Sequence, residues 1–188
     1  DILKILRKNL YTNNKYNHLL RVAVNKNLLS ISLRKRIKPV INFNLKLVNL
    51  KRQKPEFKNL KYKKILKHLS KLDNSKSDIA LCSNNKIFET GTSNIFFIKD
   101  KMVFSPKNNF YQGVTYKFFK SKFTNIIKKD ISINSLKEFD EIILVGSGKG
   151  VASVKTINQI KWKRKSLKFY NIFLKYYKSA VNNCSRYK

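Results

Sequence analysis

Four short runs between residues 78 and 105 constrain this chain most: DIALCS, KIFET, NIFFI and MVFS, with NN and KDK as turns between them. Each run is rich in isoleucine and phenylalanine, which suit a pleated, buried surface, and polar turn residues interrupt the runs before a helix of ordinary length could form. The segment therefore reads as four strands, at 78–83, 86–90, 94–98 and 102–105. Earlier in the chain, LRVAVN (20–25) and LSISLR (29–34) read as a hairpin, and PVINFNLKLVNL (39–50) alternates as a half-buried strand does. From residue 58 the period changes. Tyr62, Ile65, Leu66, Leu69 and Leu72 fall at helical spacing, ended by DNSKS. A second helix is expected over about 115–128, with Phe119, Phe123, Ile126 and Ile127 on one side. A last one is expected over about 166–182, with Leu167, Tyr170, Leu174, Tyr177 and Val181 in one stripe. The pattern implies an α/β (α+β) chain of mixed strands with flanking helices.

At 188 residues and 42% hydrophobic, the chain can build one substantial core. Its formal net charge of +32 is extreme, and such a surface attracts polyanions whatever its function. Cys82 and Cys184 lie too far apart for a CxxC pair, and with only His18 and His68 besides, no metal site and no Ser-His-Asp arrangement is expected. Both cysteines read as reduced thiols. No apolar run reaches the roughly 18 residues of a membrane span, and the N-terminus lacks the pattern of a secretory signal. The chain starts at Asp1 without a methionine, as part of a longer precursor would.

EIILVGSGKGVASV (141–154) runs from a strand into three glycines and a lysine. A P-loop would need glycine where Ile143 stands and Ser or Thr where Gly150 stands; a dinucleotide fingerprint would need glycine at Val151. Neither fits. A strand that ends in small residues can still turn its N–H groups toward an anion. Acidic residues are few, so Glu89, inside IFETGTSNIFFI, stands out. A carboxylate in so apolar a setting needs a cation or several hydrogen bonds, and its neighbours Thr90, Thr92, Ser93 and Asn94 could equally be capping a turn.

Taken in order, ETGTSNIFFIKDKMVFSP, YQGVTYKFF and EIILVGSGKGVASV resemble the core of the class IV, or D-amino-acid aminotransferase-like, pyridoxal-phosphate enzymes, over roughly residues 18–162. The resemblance implies a barrel-like mixed sheet in the C-terminal lobe of that fold, with pyridoxal 5′-phosphate as cofactor. It also implies a lysine about thirty residues before the glutamate. Lys58, thirty-one positions upstream of Glu89, meets that spacing, with Lys61, Lys63 and Lys64 as competitors that fall along the expected helix. A reactive lysine needs a partly neutral amine, which burial beside other cations favours, so Lys58 is expected to be buried. By the same resemblance Glu89 would hold the pyridine nitrogen, within a Glu-x-x-x-x-Asn segment that includes Asn94. Gly113, Val114 and Thr115 would cradle the phosphate from a helix start, and Gly146, Ser147 and Gly148 would close its other side. Tyr62 and Lys149 are candidates for substrate or cofactor contact, Tyr62 equally for packing.

KNLKYKKILKHLSKL and NSKSDIALCSNNKIFETGTSNIFF are most similar, within the family, to aminodeoxychorismate lyase, which releases pyruvate from 4-amino-4-deoxychorismate to give 4-aminobenzoate for folate synthesis. A branched-chain or D-amino-acid aminotransferase is the alternative. The resemblance implies a small anionic amino-acid-like substrate, a homodimer, and a cytoplasmic or organellar enzyme. Family members also carry a smaller N-terminal lobe with an arginine in a helical His-x-x-Arg-Leu; here HLLR (18–21) enters a strand-like segment. That lobe is expected to be missing, with residues 1–17 its remnant or connection and residues 18–188 the cofactor-binding lobe. A non-catalytic RNA- or ribosome-associated protein, using the +32 surface and stretches such as IKWKRKSLKFY, is the reading from another class.

Overall fold

The computed structural model describes Lys4 and residues 18–184, so residues 1–17, expected above as the remnant of a lobe, lie outside the described residues apart from Lys4. The chain divides into two compact units, the first ending at Arg36 and the second starting at Ile37. The first holds the expected hairpin, β1 (His18–Val24) antiparallel to β2 (Leu29–Lys35). Asn25 sets its turn: the side-chain oxygen accepts the N–H of Asn27 at 2.9 Å and of Leu28 at 2.8 Å, a local closure that asparagine supplies readily.

The second unit contains β3 (Phe43–Asn49), α1 (Lys63–Leu69), β4 (Ser77–Ser83), β5 (Lys86–Thr90), β6 (Asn94–Lys99) and β7 (Met102–Pro106). It continues with α2 (Val114–Lys122), β8 (Ile126–Lys129), β9 (Ile131–Ser132), β10 (Glu141–Gly146), β11 (Gly150–Ile157), β12 (Trp162–Lys163) and α3 (Lys168–Asn182). Its ten strands make one mixed sheet in the order β8-β7-β6-β10-β11-β3-β4-β5-β9, with β12 on β11. The sheet curls, so that β5 near one end also meets β7 near the other. Asn84 and Asn85 turn β4 into β5 with positive φ, and Asp100 and Lys101 do the same for β6 and β7, bearing out NN and KDK as turns.

Alternation along the strands supplies two cores. Ile95, Phe97, Ile142, Leu144, Ala152 and Val154 face one way, into a cluster with Phe43, Phe104 and Phe139. Phe96, Ile98, Ile143, Val145 and Val151 face the other, under Tyr116 and Phe119 of α2 and Phe173 of α3. Both faces are covered, which is why these strands read as nearly continuous apolar runs.

Two helix boundaries differ from the sequence expectation. The first helix starts at Lys63, not 58, because Asn59 organises a loop instead: its amide donates to the carbonyls of Gln53 and Lys54, and its oxygen accepts the N–H of Lys61. The second ends at Lys122; Ile126 and Ile127 belong to β8, which pairs in parallel with Val103 and Phe104. Two adjacent β-branched residues beside an open sheet edge favour that pairing over another helical turn.

Candidate functional site

Asp78, Glu89 and Glu141 are the buried acids among the described residues, and two of them organise one end of the sheet. Glu89, near the end of β5, is 3% exposed, and its carboxylate accepts from Arg52 Nε at 2.7 Å. The backbone N–H of Tyr111 also favours its charged form. Desolvation by burial raises the Glu89 pKa above its ordinary value and outweighs Arg52 and Tyr111, which pull the other way. The carboxylate is thus held in place by donors yet not fully compensated for its loss of water.

From Tyr111 the hydrogen bonds run on. Its carbonyl accepts Asn94 Nδ2 at 2.5 Å, and Asn94 Oδ1 accepts the N–H of Gly113 at 3.0 Å. A Cβ on Gly113 would lie 2.9 Å from that oxygen, so close an approach requires glycine there. Gly113 is the N-cap of α2. The first-turn N–H groups of a helix have no partner within it and attract anions; here they belong to exposed Val114 and buried Thr115. Asn94 therefore fixes where this helix start stands relative to Glu89.

The turn between β10 and β11 borders the same residues. Val145 pairs with Asn94 across the sheet, and a Cβ on Gly146 would meet Ser93 Oγ at 3.2 Å and the Thr92 carbonyl at 3.4 Å. Ser147 is exposed on the turn and Gly148 is half-buried. Lys149 reaches inward instead: its side chain is 7% exposed, and its amine donates to Asp78 Oδ2 at 2.7 Å and to Thr92 Oγ1 at 2.9 Å, over the Phe43 ring. Asp78 also accepts from the hydroxyls of Thr90 and Thr92 and from the N–H of Ile79. Thr90 Oγ1 in turn accepts the N–H of Ser93 at 2.8 Å, so this threonine does cap the turn after Glu89, as the bland reading of these residues held.

Lys58 lies in the loop between β3 and α1, and its side chain is exposed, not buried as expected. The Asn59-centred loop and the charged stretch before it keep that segment at the surface. Arg52, in the same loop, ties it to Glu89. Tyr62 is the N-cap of α1, half-buried against the cluster of Ile65, Leu69, Ile79 and Leu81. The structure thus joins Asn94, Tyr111 and Gly113 by hydrogen bonds, with the Tyr111 N–H acting on Glu89, and sets Gly146 against Ser93 and Thr92. Val114 and Thr115 follow on one side, Ser147 and Gly148 on the other. Sequence reasoning missed Arg52, Tyr111, Thr92 and Asp78. Asp78 had a signal, an acid opening an apolar strand in an acid-poor chain; Arg52 had none among 42 Lys and Arg residues.

A buried acceptor, a helix start and a small-residue turn have the chemistry to hold a ring that carries an acid-seeking nitrogen and an anionic arm. None of the curated proteins matches this chain. Among solved structures, a putative branched-chain amino acid aminotransferase from Thermotoga maritima is 19% identical with a TM-score of 0.66, over 82% of this chain and 61% of that one. A putative 4-amino-4-deoxychorismate lyase from Legionella pneumophila is 15% identical with a TM-score of 0.71, over 92% and 73%. An aminotransferase from Brucella abortus bound to the cofactor PLP is 18% identical with a TM-score of 0.62, over 81% and 59%. The chain spans about three fifths of the length of the Thermotoga and Brucella proteins. At these identities the likeness is one of fold, but the family model for amino-transferase class IV matches residues 1–157, most of the sequence, and the chain belongs to the class IV aminotransferase family.

Proposed function

We propose that the chain is a pyridoxal 5′-phosphate-dependent enzyme acting on a small, anionic, amino-acid-like substrate. The observation that carries this reading is the buried carboxylate of Glu89, held by Arg52 and favoured by the Tyr111 N–H, whose residue is tied through Asn94 to Gly113 at a helix start. The residues around Glu89 and the start of α2 fit the cofactor's ring and phosphate, while Lys58, exposed in its loop, is assigned by its spacing from Glu89. Glu89 is an incompletely compensated acid that a protonated ring nitrogen would satisfy, and the first turn of α2 and the Ser147 turn offer donors to a phosphate.

Bound there, the cofactor supplies an electron sink for the charge left when the α proton of an amino acid is removed. Glu89 would keep the ring nitrogen protonated, and Arg52 keeps Glu89 oriented. Val114, Thr115 and Ser147 would hold the phosphate, with Gly146 and Gly148 allowing the backbone to approach it. Lys58 would be the amine that holds the cofactor and the base for the α proton. Tyr62 lines the approach from the α1 side. Residues 18–188 form the cofactor-holding part in this reading, and a second copy of the chain completes the substrate contacts.

Within the family, the similarity of KNLKYKKILKHLSKL and NSKSDIALCSNNKIFETGTSNIFF to aminodeoxychorismate lyase makes release of pyruvate from 4-amino-4-deoxychorismate the reaction to test first. A solved structure so described spans 92% of this chain, which agrees with that choice. Transamination of branched-chain or D-amino acids would use the same residues. The test is absorbance of the purified chain with pyridoxal 5′-phosphate, borohydride reduction, and peptide mapping. A label concentrated on Lys58 is expected, with product formation falling about a hundredfold or more in Lys58→Ala. A label scattered over many lysines, or none, overturns the reading. Pyruvate formed without an added keto acid identifies the lyase; dependence on a keto acid identifies the aminotransferase.

A further inference from the structure

Lys149 and Asp78 are the other charged pair at this end of the sheet, and the reading above leaves them without a role. The amine of Lys149 is engaged by Asp78 and Thr92 rather than free to meet a substrate or cofactor. What it does face is informative. Asp78 opens β4, Thr92 sits in the turn between β5 and β6, and Lys149 comes from the turn that carries Ser147. One buried carboxylate, fully unexposed, therefore ties together three chain segments that are distant in sequence. Lys149 follows the exposed Ser147 by two residues along the turn.

A turn of Gly, Ser and Gly has little stiffness of its own, since glycine leaves φ and ψ unrestricted. A donor set on such a turn binds an anion well only if something else holds it in place before the anion arrives. Gly146 already packs against Ser93 and Thr92, and at the far end Gly150 has a φ of +73° and lies against the Tyr177 ring. Between those two fixed ends, Lys149 is the side chain that pins the turn to the body of the sheet. The side chains of the pair are buried, Asp78 accepts from Lys149, Thr90, Thr92 and the Ile79 N–H, and such a setting makes charges act as a rigid tie.

We infer that Lys149 is a positioning residue: through Asp78 and Thr92 it holds the Ser147 turn in the geometry that receives the cofactor's phosphate. The inference rests on the proposed cofactor site and adds to it that the affinity for the phosphate arm is set from behind the turn. Thr92 belongs to the same device, because its hydroxyl accepts from Lys149 and donates to Asp78.

The experiment compares pyridoxal 5′-phosphate with pyridoxal, which lacks the phosphate, by equilibrium dialysis, and follows hydrogen exchange of the amides at 146–150. Lys149→Met is expected to weaken pyridoxal 5′-phosphate at least tenfold, to change pyridoxal less than twofold, and to speed exchange in the turn. Thr92→Val, at an exposed position, should show a smaller loss of the same kind and carries the test if Lys149→Met fails to fold. Equal weakening of both ligands, or no change in the phosphate form, overturns the inference alone. A wild-type chain that takes up no pyridoxal 5′-phosphate overturns the cofactor reading and this inference with it.

Discussion

Glu89 is the residue on which burial and charge pull hardest in opposite directions. Desolvation raises its pKa above 4.5 despite Arg52 and the Tyr111 N–H, so the folded chain holds the proton to a higher pH than the unfolded chain does. The sign follows. Below about pH 4.5 the carboxyl is neutral in both states and its contribution to stability is fully present; as pH rises through the folded pKa that contribution is lost, because a charge must then be carried in a buried site. Glu89→Gln keeps an acceptor for Arg52 and removes the titration. Urea unfolding of the cofactor-free chain should therefore show the difference between variant and wild type moving in favour of glutamine from about pH 4.5 upward, by at most about 1.4 kcal/mol per pH unit within the window. A difference that stays flat from pH 4.5 to 7.5 would mean Arg52 compensates the charge fully. Asp73 and Glu138, whose pKa values are lowered by partners on the surface, titrate the opposite way in both proteins and cancel from the comparison.

The third buried acid works at the scale of an element. Glu141 begins β10, yet its two carboxylate oxygens accept the N–H groups of Phe169 at 2.9 Å and Tyr170 at 2.8 Å, at the start of α3. A strand residue thus adds to the cap of this helix, where Leu167 stands at the N-cap with no side-chain bond and Ser166 Oγ accepts the N–H of Lys168 alone. Glu141→Ala should destabilise the chain by roughly 2 kcal/mol in chemical denaturation, and Glu141→Gln by less, since the amide keeps one acceptor. A loss in alanine below about 0.5 kcal/mol would show that water replaces the carboxylate there. The cap also marks the limit of what was legible. The strands from Ser77 to Pro106 could be read directly because each combines apolar β-formers with its own turn residues, a purely local signal. The α1 start and the α2 end could not, since Asn59 competes through side-chain bonds and β8 needs a partner strand that periodicity does not reveal. The site divides the same way: Glu89, Asn94 and the glycines show themselves by local chemistry, while Arg52, Tyr111 and Lys149's tie to Asp78 depend on contacts between segments far apart in sequence.

Over the whole molecule the same scarcity of acids shapes the surface. Of the nine Asp and Glu among the described residues, six are engaged in ion pairs, two of those inside the site, so most of the +32 excess has no acid to meet. Such a surface would concentrate anions and speed capture of the proposed phosphate-bearing cofactor and anionic substrate. It should also attract RNA at low ionic strength, and the two roles separate by their response to salt. Contacts made through phosphate alone release counterions, so six to ten of them lose about 10³–10⁵ in affinity between 50 and 200 mM salt, and the log–log slope counts the contacts. A phosphate held by N–H groups at a helix start and a pinned turn is screened far less, because its partners are fixed dipoles at hydrogen-bonding distance. Binding of a single-stranded RNA oligonucleotide should accordingly collapse over that range, while binding of pyridoxal 5′-phosphate changes only a few-fold. Retention of tight RNA binding at physiological salt, with cofactor affinity the one that collapses, would reverse the assignment and make the basic surface the functional one.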